Sequence, residues 1–242
     1  MRDWLTARPI AHRGLHEAAA GVVENTRSAF QAAIAGHYGI ECDLQISADG
    51  EAMVHHDDTL GRLTEGDARL DAMAAAALKR VPFKATADRM LTLGELCDLV
   101  AGRATLVLEL KSRFDGDTRL AARATAVLSS YAGPVAVMSF DPAVIASARQ
   151  FAPALPRGLV AMRREPSNPD TAQTSAMGYA RRALAARPQF LAYRVQDLTT
   201  TVPRLARGVL GMPLLTWTVR TAEDRACAAR FADQMIFEGF RP

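Results

Sequence analysis

Ile40-Glu41-Cys42-Asp43-Leu44-Gln45-Ile46-Ser47-Ala48-Asp49-Gly50-Glu51-Ala52-Met53-Val54-His55-His56 is the stretch on which the fold turns. It contains two strand-like runs, 40–44 and 51–56, and the short polar segment Ser47-Ala48-Asp49-Gly50 leads from one to the other. That spacer is too short for the crossover helix that two parallel strands need. Asp49-Gly50 is instead a strong two-residue hairpin turn. The stretch therefore reads as one strand that runs past the rim of a sheet, turns and comes back antiparallel.

With 51–56 set aside as the return arm, eight strand candidates remain: 8–12, 40–44, 105–110, 135–140, 157–162, 190–195, 214–219 and 234–238. Ala-rich amphipathic stretches fill the gaps at 26–35, 93–100, 118–129, 142–148, 174–186, 202–207 and 222–231. Thr92 with Glu95 forms a capping box, and Asp141-Pro142 and Thr221 open two further helices. Alternation of this kind builds a parallel sheet. Eight repeats in 242 residues fit a (β/α)8 TIM barrel, whose usual length is roughly 250 residues. We expect one domain over 1–242, with the polar, irregular segment 57–90 (Ala-rich at 71–78) as a lid or insertion after the second strand.

Composition narrows the function classes. Hydrophobic residues make up 49% and charged residues 23%, so there is a core to bury. A net charge of +3 without a Lys/Arg run, and only four Tyr and two Trp, argue against a nucleic-acid partner. The weak positive bias suits a small anionic substrate. Cys42, Cys97 and Cys227 are too sparse for a disulfide framework or a structural zinc site. No apolar run reaches the roughly 18 residues of a membrane span, and no signal-like segment opens the chain, so a cytoplasmic protein is expected.

The hairpin also orders the chemistry. If Asp49 and Gly50 are its turn residues, Asp43 lies opposite His56, and opposed residues share a face. Glu41, Asp43 and His56 then converge, while Cys42 and His55 point away. Such groups are costly to bury together without a cation, and Mg2+ or Ca2+ takes oxygen ligands. Glu109 and Lys111 end an otherwise apolar strand two residues apart, at the strand end where barrels carry active sites. His12-Arg13-Gly14 closes the first strand at the same rim. There Arg13 offers a phosphate fork, Gly14 a sharp turn and His12 a proton-transfer group.

Taken in order, His12-Arg13-Gly14, Glu24-Asn25-Thr26, Glu41-Cys42-Asp43, His56-Asp57 with Leu60 and Arg62, Glu109-Leu110-Lys111 and the late Trp217-Thr218-Val219 resemble the signature of the glycerophosphodiester phosphodiesterase family. The resemblance implies a metal-dependent enzyme that hydrolyses glycerophosphodiesters to glycerol 3-phosphate and an alcohol. Glu41, Asp43 and Glu109 match the ligands of one divalent ion, Mg2+ or Ca2+. His12 and His56 match the acid–base pair, and Arg13 and Lys111 the phosphate contacts. The chain departs from the family at Ile236-Phe237-Glu238-Gly239, where a Thr-Asp pair is common.

Other residues carry blander readings. Glu24-Asn25-Thr26 is either a helix start or a support of the site, and Asp57 with Arg62 a surface ion pair. His16 and His37 are surface or loop histidines, and His16 is the one of the two expected to border the site. Phe140, Trp217 and Tyr193 sit near strand ends as packing residues, with Trp217 and Phe140 as candidates for a substrate pocket. Two rival functions are a lysophospholipase D-like phosphodiesterase, marked by an apolar ramp at the lid, and a non-catalytic phosphodiester-binding barrel.

Overall fold

The computed structural model describes residues 2–163 and 176–242. Among the described residues, eight strands are parallel and closed into a ring. These are β1 (Ile10–Ala11), β2 (Gly39–Ile46), β4 (Leu106–Leu110), β5 (Val135–Ser139), β6 (Arg157–Ala161), β7 (Phe190–Arg194), β8 (Leu214–Val219) and β9 (Gln234–Phe237). Closure comes from β1, which pairs with β2 on one side and with β9 on the other. The expected (β/α)8 TIM barrel is the observed fold.

β4 and β5 are buried from end to end because both faces are covered. Residues pointing inward, among them Ile10, Val107, Met138, Val160, Phe190 and Leu215, fill the barrel as one apolar cluster. Gly158 makes room for the Phe190 ring, since a Cβ there would sit 2.3 Å from it. Residues pointing outward, such as Leu44, Leu108 and Val137, join a second cluster with the helices. These helices are α2 (Arg27–Ala35), α4 (Leu93–Val100), α5 (Arg119–Leu128), α6 (Pro142–Phe151), α7 (Ala176–Ala186), α8 (Thr201–Gly208) and α9 (Ala222–Phe231). Capping boxes start α4 at Thr92/Glu95 and α9 at Thr221/Asp224, and Asp141 caps α6. Of the expected helix 174–186, Thr174 and Ser175 lie outside the described residues.

The first helix, α1 (Arg2–Leu5), was not legible in the sequence. Its Leu5 joins the inner cluster, and Thr105 bonds the Trp4 carbonyl at 3.3 Å. That places α1 against the N-terminal end of the strands. The C-terminal rim is left for the site.

The hairpin needs a correction. Its return arm β3 (Ala52–Val54) is antiparallel to β2 as expected, but the pairs are Leu44–Val54, Gln45–Met53 and Ile46–Ala52. The register is one residue away from the two-residue reading, and it sets Asp43 against His55. The cause is a three-residue loop, Ala48-Asp49-Gly50. The Ser47 hydroxyl donates to Asp49 at 2.6 Å and accepts the Glu51 N–H at 2.8 Å, so Ser47 and Glu51 close the loop.

Residues 57–90 carry a 3-10 turn (Leu70–Ala72) and the short helix α3 (Ala75–Leu78). Leu60, Leu70, Leu78, Phe83 and Met90 turn inward onto Met53 and Val23 as a third apolar cluster.

Candidate active site

Glu41 and Asp43 project from β2, and Glu109 from β4 beside it, with Asp43 and Glu109 in register. All three are buried, and each offers a carboxylate oxygen within 4.8 Å of the others. Burial, reinforced by the Asp43 and Glu109 charges, pushes the Glu41 carboxyl well above the usual range. Burial opposes the charge of Asp43 as well, but Lys111, His56 and Arg13 outweigh it and hold its carboxyl low. The Lys111 ammonium lies 2.8 Å from Asp43 and 2.7 Å from Glu109. Those carboxylates overcome the cost of its burial and raise it above its ordinary value. The Arg13 guanidinium pairs with Glu24 at 2.7 Å and with Asp43 at 3.3 Å.

The donor set fits a hard divalent cation. Three buried carboxylate oxygens converge, and Glu41 accepts a hydrogen bond from the Arg13 N–H at 3.0 Å with no ammonium or guanidinium in an ion pair with it among the described residues. A buried carboxylate in that state is costly, and a divalent ion relieves the cost.

His12, Arg13 and Gly14 follow β1. Arg13 takes a left-handed φ of 55° and Gly14 one of 80°, and a Cβ on Gly14 would meet Ala29 at 2.9 Å. This turn brings the Arg13 N–H onto Glu41 and its side chain back toward Asp43. The Nε2 of His12 lies 3.9 Å from Glu41, and its Nδ1 lies 2.6 Å from Glu238, just past β9. Arg220 also reaches Glu238, at 3.2 Å. The His12 hydrogen bond, aided by Arg220 against partial burial, lowers the Glu238 carboxyl to about 2.

His56 reaches the site by a route other than the expected register. Pairing stops at Val54, and the chain turns so that His55 packs under the insertion, 6.4 Å from the Phe83 ring, while His56 faces the rim. The Nδ1 of His56 lies 2.8 Å from Asp57. Burial lowers the His56 imidazole from its ordinary value despite the pull of Asp43, with Lys111 and Arg13 working in the same direction as burial. Arg62 clamps Asp57 and Glu24, each at 2.6 Å. The Asp57–Arg62 pair read from the sequence is therefore one side of a bridge between the insertion and the loop after β1.

A cavity of about 730 Å3 opens beside this centre, lined among others by His56, Asp57, Arg62, Glu109, Lys111 and Phe140. Trp217 stands edge-to-face against Phe140, 5.5 Å between centroids, and donates to the Ala192 carbonyl at 3.1 Å. Four residues have weak or ambiguous signals in the sequence. Asn25 is buried and donates to Asp43 at 2.9 Å with φ 57°, so it supports the site, and Thr26 is the helix N-cap. Glu238 directly follows the apolar strand β9 and is a charge of the same kind as Glu109 near the end of β4. His16 lies 4.0 Å from Glu238, a contact with no local sequence signal.

Comparison with known proteins gives consistent matches. The model of the glycerophosphoryl diester phosphodiesterase family matches residues 12–239. A glycerophosphodiester phosphodiesterase of Caldanaerobacter subterraneus subsp. tengcongensis is 35% identical over 111 residues, 43% of this chain. The match covers 44% of that relative, so the chain aligns with less than half of its length. Among solved structures, an Oleispira antarctica phosphodiesterase in complex with the product sn-glycerol-3-phosphate superposes with a TM-score of 0.78 at 22% identity, covering 97% of this chain and 94% of that one. A glycerophosphodiester phosphodiesterase from Thermotoga maritima gives 0.71 at 22% identity, covering 94% and 92%. At these identities the two structures speak for the fold.

Proposed function

Since the chain belongs to the glycerophosphoryl diester phosphodiesterase family, we propose that it hydrolyses glycerophosphodiesters to glycerol 3-phosphate and an alcohol at this rim. The observation that carries the reading is the convergence of two carboxylate-backed histidines on a buried cluster of three carboxylates. One divalent cation, Mg2+ or Ca2+, held by Glu41, Asp43 and Glu109, would supply Lewis acidity toward the phosphoryl oxygens and the attacking hydroxyl.

The chain's own residues do the rest. His12 and His56 divide the proton transfers: one removes the proton of the nucleophile, the other protonates the leaving alkoxide. Each has its Nδ1 tied to a carboxylate, which sets the ring and leaves Nε2 as the reacting nitrogen. Arg13 and Lys111 steady the charge that grows on the phosphoryl oxygens. Both are already anchored at the carboxylate cluster, so neither must be recruited from solvent.

A lysolipid substrate is less well supported. Leu60 and Leu70 edge the cavity but are packed into the insertion's own cluster, and the rest of the wall that the insertion gives it is Asp57, Asp58, Thr59, Arg62, Arg69 and Asp71. That wall suits a polar headgroup rather than an acyl chain. In this reading residues 1–242 act as one barrel domain with 57–90 as its lid. A cytoplasmic setting accords with three unpaired thiols, and no helix among the described residues is long and apolar enough to cross a membrane.

The test is release of glycerol 3-phosphate from glycerophosphocholine and glycerophosphoethanolamine, with EDTA and then with Mg2+ or Ca2+ restored. Release that stops with chelator and returns with metal is expected. Absence of release under every metal condition, in protein that still binds the cation, would overturn the substrate class.

A further inference from the structure

We propose that His12, His16 and Glu238 form a second cation site, one that takes a divalent transition metal such as Zn2+ and, when filled, withdraws His12 from proton transfer. The three residues come from the end of β1, the loop after it and the end of β9. Each offers one ligand atom, and all of these lie within 4.8 Å of one another.

The donor chemistry differs from that of the carboxylate cluster. Three oxygens favour Mg2+ or Ca2+, whereas two imidazoles and one carboxylate favour zinc and its neighbours. A second observation points to a ligand. The Nε2 of His16 is buried without a hydrogen-bond partner, 4.0 Å from the Glu238 carboxylate. A buried imidazole nitrogen beside a carboxylate, with no protein hydrogen bond to give up, is placed to serve as a ligand atom.

His12 links the two centres. Its Nε2 faces Glu41 and its Nδ1 faces Glu238. A metal on Nδ1 takes the place of the hydrogen bond to Glu238. The neutral ring then carries its proton on Nε2, and that nitrogen has no lone pair left to accept another. Arg220, 3.3 Å from the other oxygen of Glu238, competes for the same carboxylate and keeps the site reversible. The consequence for turnover rests on the proposed phosphodiesterase activity; the binding of metal does not.

The experiment uses the full chain with Mg2+ in large excess. Zn2+ binding is measured by calorimetry and by metal content after desalting, alongside turnover of glycerophosphocholine. The wild type should bind one Zn2+ more than His16→Ala or His16→Gln, both checked for folding by thermal melts. Zn2+ should inhibit the wild type, while His16→Gln should keep its Mg2+-supported turnover and need about tenfold more Zn2+ or higher for the same inhibition. Equal Zn2+ stoichiometry in wild type and both variants overturns the site. Extra Zn2+ bound without loss of turnover overturns the withdrawal of His12. A difference in stoichiometry with no turnover under any metal leaves the site standing and removes the activity reading instead.

Discussion

Oδ1 of Asp57 lies 2.8 Å from Nδ1 of His56, so this imidazole is oriented by the very next residue in the chain. A carboxylate on Nδ1 fixes both the tautomer and the ring plane. Asp57→Asn keeps the size of the partner but removes the charge that stabilises the protonated ring. We expect kcat to fall by about 10- to 100-fold with KM little changed. Steady-state kinetics on folded protein checks this, and a loss confined to KM would place Asp57 in substrate binding instead.

Asn25 donates to the carboxylate of Asp43 at 2.9 Å, with its backbone at φ 57°. Asn25→Ala removes the bond and leaves a side chain that tolerates this φ poorly. The apparent affinity for Mg2+ should weaken by roughly 10- to 100-fold, read from the metal dependence of turnover and from direct titration. Unchanged metal affinity would reduce Asn25 to a packing residue.

Arg62 joins the insertion to the loop after β1 through Asp57 and Glu24. Burial works against both carboxylates, but the Arg62 hydrogen bonds lead the effects that lower their pKa values. A lowered folded pKa contributes stability that is fully present above the unfolded value and is lost as pH falls through the folded one. Arg62 is partly exposed, so screening limits the effect of Arg62→Ala at pH 7 to about 1 kcal/mol, roughly 2–4 °C in Tm. The gap between the melts of the two proteins should start to narrow as pH falls below the ordinary carboxylate range and go on closing through the lowered folded values, where protonation of the carboxylates removes the advantage. A constant gap between pH 7 and pH 3 would mean that Arg62 stabilises through packing alone.

The capping box of α4 is a separate and purely structural test. The Thr92 hydroxyl accepts the Glu95 N–H, and the Glu95 carboxylate accepts the Thr92 N–H in return. Thr92→Ala should lower unfolding stability by about 1 kcal/mol and leave turnover intact. A chemical denaturation series with kinetics on the same preparation decides it.

Much of the barrel could be read locally because its signals are local. The bounds of β8, α4 and α9 coincide with the sequence reading, each set by an apolar run or by a cap within a few residues. The hairpin register was misread for an equally local reason. Ser47 and Asp49 build a three-residue loop where Asp49-Gly50 alone predicts two, and the side chains of Ser47 and Asp49 decide between them. His56 was placed on the right side through the wrong pairing, since strand pairing stops before the extra residue matters. The pairing of His12 with Glu238 spans 226 positions and exists only because the first and last strands meet. No window of sequence contains that closure.

The seam between β1 and β9 also bears on how the chain comes off the ribosome. Every carboxylate of the buried Glu41, Asp43 and Glu109 cluster has been synthesised by residue 109, yet Glu238, whose carboxylate meets His12, follows nearly 130 residues later. Until β9 emerges, β1 and β8 present bare strand edges, which invite pairing with other chains. A nascent or clipped chain without that last strand would carry the three clustered carboxylates but neither a closed barrel nor the Glu238 contact of His12. Completion of the ring and anchoring of His12 thus become a single late event in the life of the polypeptide.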